Sequence, residues 1–183
     1  MKNKIEEIKK LLDEILESKN KTYKQGDTLK FKGLEWYVIK DNGSTIDLLP
    51  TKVLSEELIK KNVTDEIMRD DFEVRMTDTI RPISWKESFI YKKLLPKIKE
   101  DFEAENVTLL SKEEIEALPL EMRACGEWYW TCTPMENDYP VECATRFAYV
   151  YSSGDSYSDW LGASNAYGVR PLVSINKDLL EGV

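Results

Sequence analysis

The sequence predicts a mixed α+β fold made of short antiparallel strands, two or more helices and long loops. Apolar residues alternate with period two in three runs between residues 28 and 49, which is typical of half-buried strands. Helical spacing returns at residues 55–61 and 85–102. The 183 residues are 42% hydrophobic and 33% charged, a composition typical of one globular domain.

Residues 3–19 predict an amphipathic helix ahead of that domain. Ile5, Ile8, Leu12 and Ile15 follow a 3-4-3 spacing, with charged residues between them. Two interpretations remain open for this apolar stripe: it packs on its own domain, or it forms a short coiled coil that makes the chain a homo-oligomer. The predicted organisation is therefore a helical segment at residues 1–22 and a domain at residues 23–183.

The first strands are predicted at residues 28–31, 36–39 and 46–49. Asn42-Gly43 separates the second from the third, and Asn-Gly is a strong hairpin signal. A helix follows at residues 55–61, and Pro96 is predicted to split the helical run at 85–102 into two helices.

The second half begins with a strand at residues 107–110. Ser111 is then predicted to cap a helix, with Glu114 three residues later as the second member of a capping box. Strands and long loops are predicted for residues 128–175.

The charges and the missing histidine narrow the classes of function. The chain has 26 basic and 34 acidic residues, a net charge of −8 and no histidine. Ser-His and Cys-His nucleophile pairs and histidine-ligated zinc are therefore excluded. Phosphate backbones are bound through Lys and Arg, and no long basic run is present, so we expect no direct nucleic-acid contact. No segment reaches the roughly 18 apolar residues of a membrane span, so we expect no membrane contact, and synthesis in the cytoplasm, with a virion as one destination.

The sequence predicts no cofactor, no metal and no enzymatic activity. Cys125, Cys132 and Cys143 form no CxxC pair and are interpreted as free, buried thiols. Residues 136–138, Glu-Asn-Asp, offer oxygen ligands for calcium, but consecutive acidic residues in a turn are more often solvated.

One segment differs from the rest in composition. No lysine occurs from Glu113 to Asn176, and ten of the 19 aromatic residues lie between Trp128 and Tyr167. Tyrosine and tryptophan mixed with Ser, Gly, Asn and Asp are typical of recognition surfaces, because aromatic rings give large contact areas at low entropic cost.

Motifs along residues 23–176 resemble a known family. They are Gly26-Asp27-Thr28 with Phe31, Gly33, Trp36 and Val38-Ile39; Leu48-Leu49-Pro50 with Val53-Leu54; Trp85, Ser88, Ile90 and Leu94-Leu95; Val107, Leu109-Leu110-Ser111 and Glu114; residues 128–134, WYWTCTP; Tyr149-Val150-Tyr151 with Gly154; and residues 168–173, GVRPLV. The chain resembles the C-type-lectin-fold domains of unknown function from Gram-positive bacteria and their phages. These are related to the variable proteins of diversity-generating retroelements and, distantly, to formylglycine-generating enzymes.

The resemblance implies a C-type-lectin-like fold with an exposed ligand-binding face between the last two motif regions. By position, the implied ligand-binding residues are Arg146, Tyr149, Tyr151, Ser152, Asp155, Tyr157, Asp159, Trp160, Ser164, Asn165 and Tyr167. Arg170 is assigned to the scaffold, as a buried and paired cation.

The expected function is a non-enzymatic module that binds a protein or a glycan, such as a phage or prophage adhesin or a retroelement-diversified variable protein. The alternative is a small acidic phage-type inhibitor that covers the nucleic-acid-binding surface of another protein. That alternative depends on the acidic stretch formed by Glu100, Asp101, Glu103, Glu105, Glu113, Glu114, Glu116 and Glu121.

Overall fold

A computed structural model describes residues 4–10, 21–62, 68–69, 73–77, 83–134, 147–157 and 166–180. Its strands are β1 (Thr28–Phe31), β2 (Leu34–Asp41), β3 (Thr45–Pro50), β4 (Met68–Arg69), β5 (Glu73–Arg75), β6 (Asn106–Thr108), β7 (Tyr129–Pro134), β8 (Phe147–Val150), β9 (Ser156–Tyr157), β10 (Ala166–Tyr167) and β11 (Leu172–Asn176).

The helices are α1 (4–10), α2 (Glu56–Asn62), α3 (Leu95–Asp101), α4 (Lys112–Glu116) and α5 (Leu120–Arg123). Short 3-10 turns occur at Trp85–Glu87 and Lys177–Leu180, and a π-helical turn at Ile90–Leu94 leads directly into α3. Together with the antiparallel pairing of the named strands, these elements confirm the predicted mixed α+β class.

The largest sheet has five strands in the order β1-β2-β3-β11-β6. Its first three strands are consecutive hairpins, as predicted, with Asn42 donating to the Thr45 carbonyl across the turn at 2.9 Å. The C-terminal strand β11 then lies between β3 and β6, so the end of the chain completes the centre of the sheet. Trp36 and Val38 on β2 are buried on alternate positions, which is the period-two pattern seen in the sequence.

Both faces of the sheet centre are covered. Leu48 packs into the larger hydrophobic cluster with Trp36 and Phe102, while its neighbour Leu49 packs into a second cluster with Ile115 and Met122. Successive strand residues point to opposite faces, so β3 separates the two clusters. Leu48 and Leu49, the last two residues of β3 before Pro50, are therefore both fully buried.

Two smaller sheets complete the fold, in the orders β7-β8-β9 and β10-β5-β4. The four residues of β8 are all buried, with Tyr149 in the larger cluster and Val150 in the second. The sequence analysis predicted no strand at 68–75, where β4 and β5 pair. These strands are only two and three residues long, too short to show a period.

The helical predictions agree with the structure at one helix start and differ at another. Ser111 accepts a hydrogen bond from the Glu114 backbone at 3.1 Å, and Glu114 accepts one from the Ser111 backbone at 2.7 Å, which is the predicted capping box. Pro96 lies in the first turn of α3, where proline is tolerated. However, helical backbone continues from the π turn into α3, so Pro96 does not separate two helices.

Residues 4–10 of the predicted N-terminal segment are helical, and Ile5 and Ile8 are 55% and 56% exposed. Its remaining predicted positions, including Leu12 and Ile15, lie outside the described residues. The chain reaches the domain at Tyr23, whose backbone N–H donates to Asp41 at 2.9 Å. No helix in the described ranges combines the length and the apolar character that crossing a bilayer requires.

Candidate ligand-binding surface

Trp128 and Tyr151 meet at one end of the sheet formed by β7, β8 and β9. In the antiparallel register Tyr129 lies opposite Val150, so the residue before β7 and the residue after β8 are neighbours. Their rings form an edge-to-face pair with centroids 4.6 Å apart. Trp128 is 38% exposed, while Tyr151 is half-buried.

Buried tyrosines support the Trp128 ring from below. Tyr149 stacks on it at 5.8 Å with an interplanar angle of 16°, and Tyr167 lies at 5.5 Å. Tyr149 and Tyr167 contact each other at 4.9 Å and also belong to the larger core cluster. Offset and edge-to-face pairs of this kind add about 0.5–1.5 kcal/mol each beyond area burial. The exposed tryptophan is therefore held on a rigid base.

Gly168 fixes the backbone beneath the same rings. Its N–H donates to the Trp128 carbonyl at 2.9 Å, and its own carbonyl accepts from Trp130 at 3.1 Å. A Cβ at position 168 would lie 2.5 Å from a Val53 methyl, so a side chain does not fit here. The glycine of the GVRPLV motif thus permits the close approach that positions Trp128.

The turn after β8 forms one edge of the surface. Gly154 donates to the Tyr151 carbonyl and Tyr151 donates to the Asp155 carbonyl, each at 2.9 Å. The Ser153 hydroxyl donates to the Asp155 carboxylate at 2.9 Å. Ser152 is exposed, and its carbonyl accepts from Gly126 at 3.3 Å. These bonds fix the backbone of the turn next to Tyr151, and the Ser153 hydroxyl holds the Asp155 carboxylate.

Helix α5 supplies a second apolar group. Leu120 is 52% exposed, and its Cδ1 lies 3.0 Å from where a Cβ on Gly154 would stand. The 151–155 turn therefore contacts Trp128 through Tyr151 and lies beside Leu120 at Gly154. We call this set of residues the Trp128 surface: Leu120, Trp128, Tyr151, Ser152 and Asp155.

The structure divides the eleven predicted ligand-binding residues into three groups. Ser152 and Asp155 are exposed and Tyr151 is half-buried, in agreement with a role at a surface. Tyr149 and Tyr167 were expected as exposed anchors, but they are 1% and 7% exposed. They belong to the base beneath Trp128, because their strands β8 and β10 are covered on both sides.

The third group comprises Tyr157 and five residues outside the described part of the chain. Tyr157 ends β9 opposite Tyr149 in the strand register. The other predicted residues lie outside the described residues: Arg146, Asp159, Trp160, Ser164 and Asn165.

Sequence reasoning did not select Trp128. Trp128 and Trp130 share a strand face by period two, so the pattern alone treats them alike. Trp130 is 1% exposed whereas Trp128 is 38% exposed. The difference arises because Trp128 precedes the first residue of β7 and lies at the sheet margin. The position of Trp128 directly before a strand was the sequence feature that could have distinguished it from Trp130.

Arg170 is a scaffold residue by position, as predicted. It is 1% exposed; its Nε donates to the Pro50 carbonyl at 2.7 Å and its Nη1 to the Arg123 carbonyl at 3.1 Å. Its guanidinium also lies 5.3 Å from the centre of the Tyr129 ring. The expected pairing is thus made with carbonyl oxygens, and within the described residues no acidic side chain forms an ion pair with Arg170. The Arg170 guanidinium therefore connects the C-terminal ends of β3 and α5 with Tyr129 on β7.

Titratable groups near this region are held in their neutral forms by burial. Burial raises the pKa of the Tyr129 hydroxyl to about 12, despite the nearby Arg170 cation. The neutral hydroxyl donates to the Arg123 carbonyl at 2.9 Å. Burial likewise raises the pKa of the Cys125 thiol, and that of Cys132 to about 11. Neither thiol is a thiolate near neutral pH.

Two further predictions concern cysteines and metals. Cys125 and Cys132 are free, as predicted, but half-buried and not fully buried, and Cys143 lies outside the described residues. Among the described residues no group of three or more Cys, Asp or Glu side chains is arranged to hold a metal ion. The acidic run at 136–138 also lies outside them.

Comparisons with family models, curated proteins and solved structures gave no match.

Proposed function

We propose that the chain is a non-enzymatic binding module with a C-type-lectin-like fold that presents the Trp128 surface to a protein or glycan ligand. It acts as an adhesin or a variable protein of the retroelement-diversified type, from a phage or prophage. The N-terminal helix joins copies of the chain, so that weak single sites add up through avidity. The motif resemblance supports the fold assignment.

The observation that carries the proposal is an exposed tryptophan on a rigid aromatic base beside fixed polar groups. Tryptophan and tyrosine dominate binding hot spots because they bury large area at low entropic cost. Here Trp128 is 38% exposed although Tyr149 lies stacked beneath it at 5.8 Å. Ser152 and Asp155 are exposed in the turn next to Tyr151 and provide a hydroxyl and a carboxylate, which are suitable partners for sugar hydroxyls or peptide N–H groups.

The lack of enzymatic activity is supported by the chemistry of the candidate nucleophiles. The sequence has no histidine to act as a base. The thiols of Cys125 and Cys132 have pKa values raised by burial, whereas a nucleophilic cysteine requires a lowered one.

The inhibitor alternative predicts a different surface and a different salt dependence. It requires Glu100, Glu103 and Glu105, all exposed, to contact a basic partner. A complex formed by charge weakens strongly when salt is added, whereas one formed by aromatic contacts does not. In the structure Glu103 already pairs with Lys32 at 2.7 Å. We favour the Trp128 surface because its exposed tryptophan is stacked on a buried tyrosine.

Binding of the fluorescently labelled protein to intact Gram-positive cells tests the proposal. The double variant Trp128→Ala, Tyr151→Ala is expected to bind about tenfold more weakly or worse, because two hot-spot aromatics are removed. Tyr23→Ala is the control, since Tyr23 is a half-buried aromatic residue like Tyr151 and lies at the start of the domain, outside the Trp128 surface. Protease treatment of the cells destroys a protein ligand, whereas periodate oxidation destroys a glycan. The two treatments therefore distinguish the two classes of ligand.

The companion variant Tyr157→Ala, Trp160→Ala examines the rest of the face implied by the resemblance. Circular dichroism establishes that each variant is folded. Equal binding by the wild type and the Trp128→Ala, Tyr151→Ala variant would contradict the proposed surface. Loss of binding only after charge reversal at Glu100, Glu103 and Glu105 would favour the inhibitor.

A further inference from the structure

A second surface, remote in sequence from the Trp128 surface, carries positive charge. Residues 85–99 contain five lysines and one glutamate, although the whole chain has a net charge of −8. Residues 113–176 contain ten carboxylates against three arginines. The charge of the molecule is therefore strongly segregated along the chain.

The helical turns of residues 85–99 leave these lysines exposed to solvent. Ile90, Leu94 and Ile98 are buried in the core at 0–1% exposure, so the π turn and α3 are anchored from the inside. The residues between them point outward. The exposed lysines of this face are Lys86, Lys92, Lys93, Lys97 and Lys99.

The structure gives most of these lysines no acidic partner. Lys97 approaches Glu100 at 3.9 Å, a distance at which a surface pair contributes little. Lys86, Lys92, Lys93 and Lys99 form no ion pair within the described residues. Like charges within one short segment oppose one another, so an anionic partner would stabilise this face.

An aromatic residue and a cavity lie among the lysines. Tyr91 is 38% exposed and packs edge-on against Trp85 at 5.6 Å. A cavity of about 210 Å³ opens beside it, lined by Tyr91, Leu95, Pro96, Lys99, Asn106 and Val107. Such a volume accommodates one large side chain. Two of its lining residues belong to β6, the last strand in the five-stranded order, where an extended segment can lie along the sheet.

We propose that the lysine face at residues 85–99 binds an acidic polypeptide segment that inserts one apolar side chain into the cavity beside Tyr91. A polypeptide fits better than a nucleic acid for two reasons. The cations are all lysines, whereas arginine gives the bidentate geometry typical of phosphate recognition. The acidic remainder of the chain repels a long polyanion but leaves room for a short acidic segment.

Fluorescence anisotropy with a labelled decapeptide tests this inference. In the probe, glutamates flank a central Leu-Phe pair; a second peptide replaces that pair with Gly-Ser. We expect the double variant Lys92→Glu, Lys93→Glu to bind the first peptide about tenfold more weakly than wild type. Tyr91→Ala removes one wall of the cavity, and the Gly-Ser peptide has no apolar side chain to fill it. Each change is expected to weaken binding several-fold.

The matched control is Lys30→Glu, Lys40→Glu, which changes the net charge equally at exposed lysines elsewhere. This variant is expected to retain wild-type affinity within about twofold. Equal weakening by both double variants, or no binding of the first peptide at low salt, would overturn the proposal. Tighter binding of a labelled oligothymidylate, or of vesicles rich in phosphatidylserine, would assign the face to a nucleic acid or a lipid surface instead.

Discussion

At the scale of single residues, the pair of Asp41 and Lys177 connects the two ends of the described domain. Lys177 Nζ donates to Asp41 Oδ2 at 2.6 Å, and both side chains are less than 15% exposed. Asp41 also accepts from the backbone N–H groups of Tyr23 and Gly43, each at 2.9 Å. One carboxylate thus holds the chain entering the domain, the β2–β3 turn and the C-terminal 3-10 turn together.

The pKa of Asp41 predicts how this contact depends on pH. Burial alone raises that pKa, but the hydrogen bonds from Lys177, Tyr23 and Gly43 outweigh it and lower the pKa below the ordinary 3.8. A lowered folded-state pKa stabilises the fold above the unfolded pKa. That stabilisation is lost as the pH falls from about 4 through the folded value.

We therefore expect Asp41→Asn to lower the free energy of unfolding by about 1–2 kcal/mol at neutral pH. The difference from wild type should shrink below about pH 4. Urea unfolding at a series of pH values measures both effects. Asp178→Asn removes the same charge from an exposed neighbour of Lys177 and should change little; a difference that stays constant down to pH 2 would refute the assignment.

At the scale of elements, the turn after β8 depends on its contact with α5. Gly154 has a φ of +91°, and a Cβ there would lie 2.9 Å from the Ala124 backbone nitrogen. Backbone atoms move less easily than a side-chain end. Both the conformation and the space at this position therefore require glycine.

Gly154→Ala is expected to destabilise the fold by about 2–4 kcal/mol, from the unfavourable φ and the contact with α5 combined. Gly43→Ala is the matched control, because Gly43 has a similar φ of +88° with no atom within 4 Å of the added Cβ. It should cost only the conformational part, about 1 kcal/mol. Thermal denaturation of both variants gives the comparison, and equal losses would show that the α5 contact contributes nothing.

Sequence patterns predicted some of these elements and missed others. The β1–β3 hairpins and the α4 capping box depend on neighbouring residues, so period and spacing predicted them. Strands β4 and β5 were missed because two or three residues carry no period. The lysine face was missed as well, since the exposure of these lysines depends on which residues of 85–99 enter the core.

At the scale of the whole molecule, the exposed Ile5 and Ile8 of α1 are consistent with a contact between copies of the chain. Two large apolar side chains that are more than half exposed on one helix stripe would be stabilised by burial. Because an amphipathic helix of about two heptads, as predicted for residues 3–19, is marginal alone, we expect its partner to be the same helix of other copies.

Light scattering should give a multimer for the full chain and a monomer for a chain that begins at Lys21. Starting at Lys21 keeps its carbonyl, which accepts from Lys177 at 3.2 Å. Ile5→Ser, Ile8→Ser in the full chain should also give a monomer, whereas Glu6→Ser, Glu7→Ser should not. A monomeric full chain would return the helix to its own domain and remove avidity from the proposed function.

The sequence by itself determined the α+β class, the hairpins, the capped helix, the missing histidine and the aromatic, lysine-free segment. These features depend on composition and on residues close together along the chain. Only the tertiary structure decided that Tyr149 and Tyr167 are buried while Trp128 is exposed, and that Arg170 binds the Pro50 and Arg123 carbonyls. Exposure depends on which distant segments cover a strand, and here β11 and β10, near the end of the chain, pair with strands from its first half.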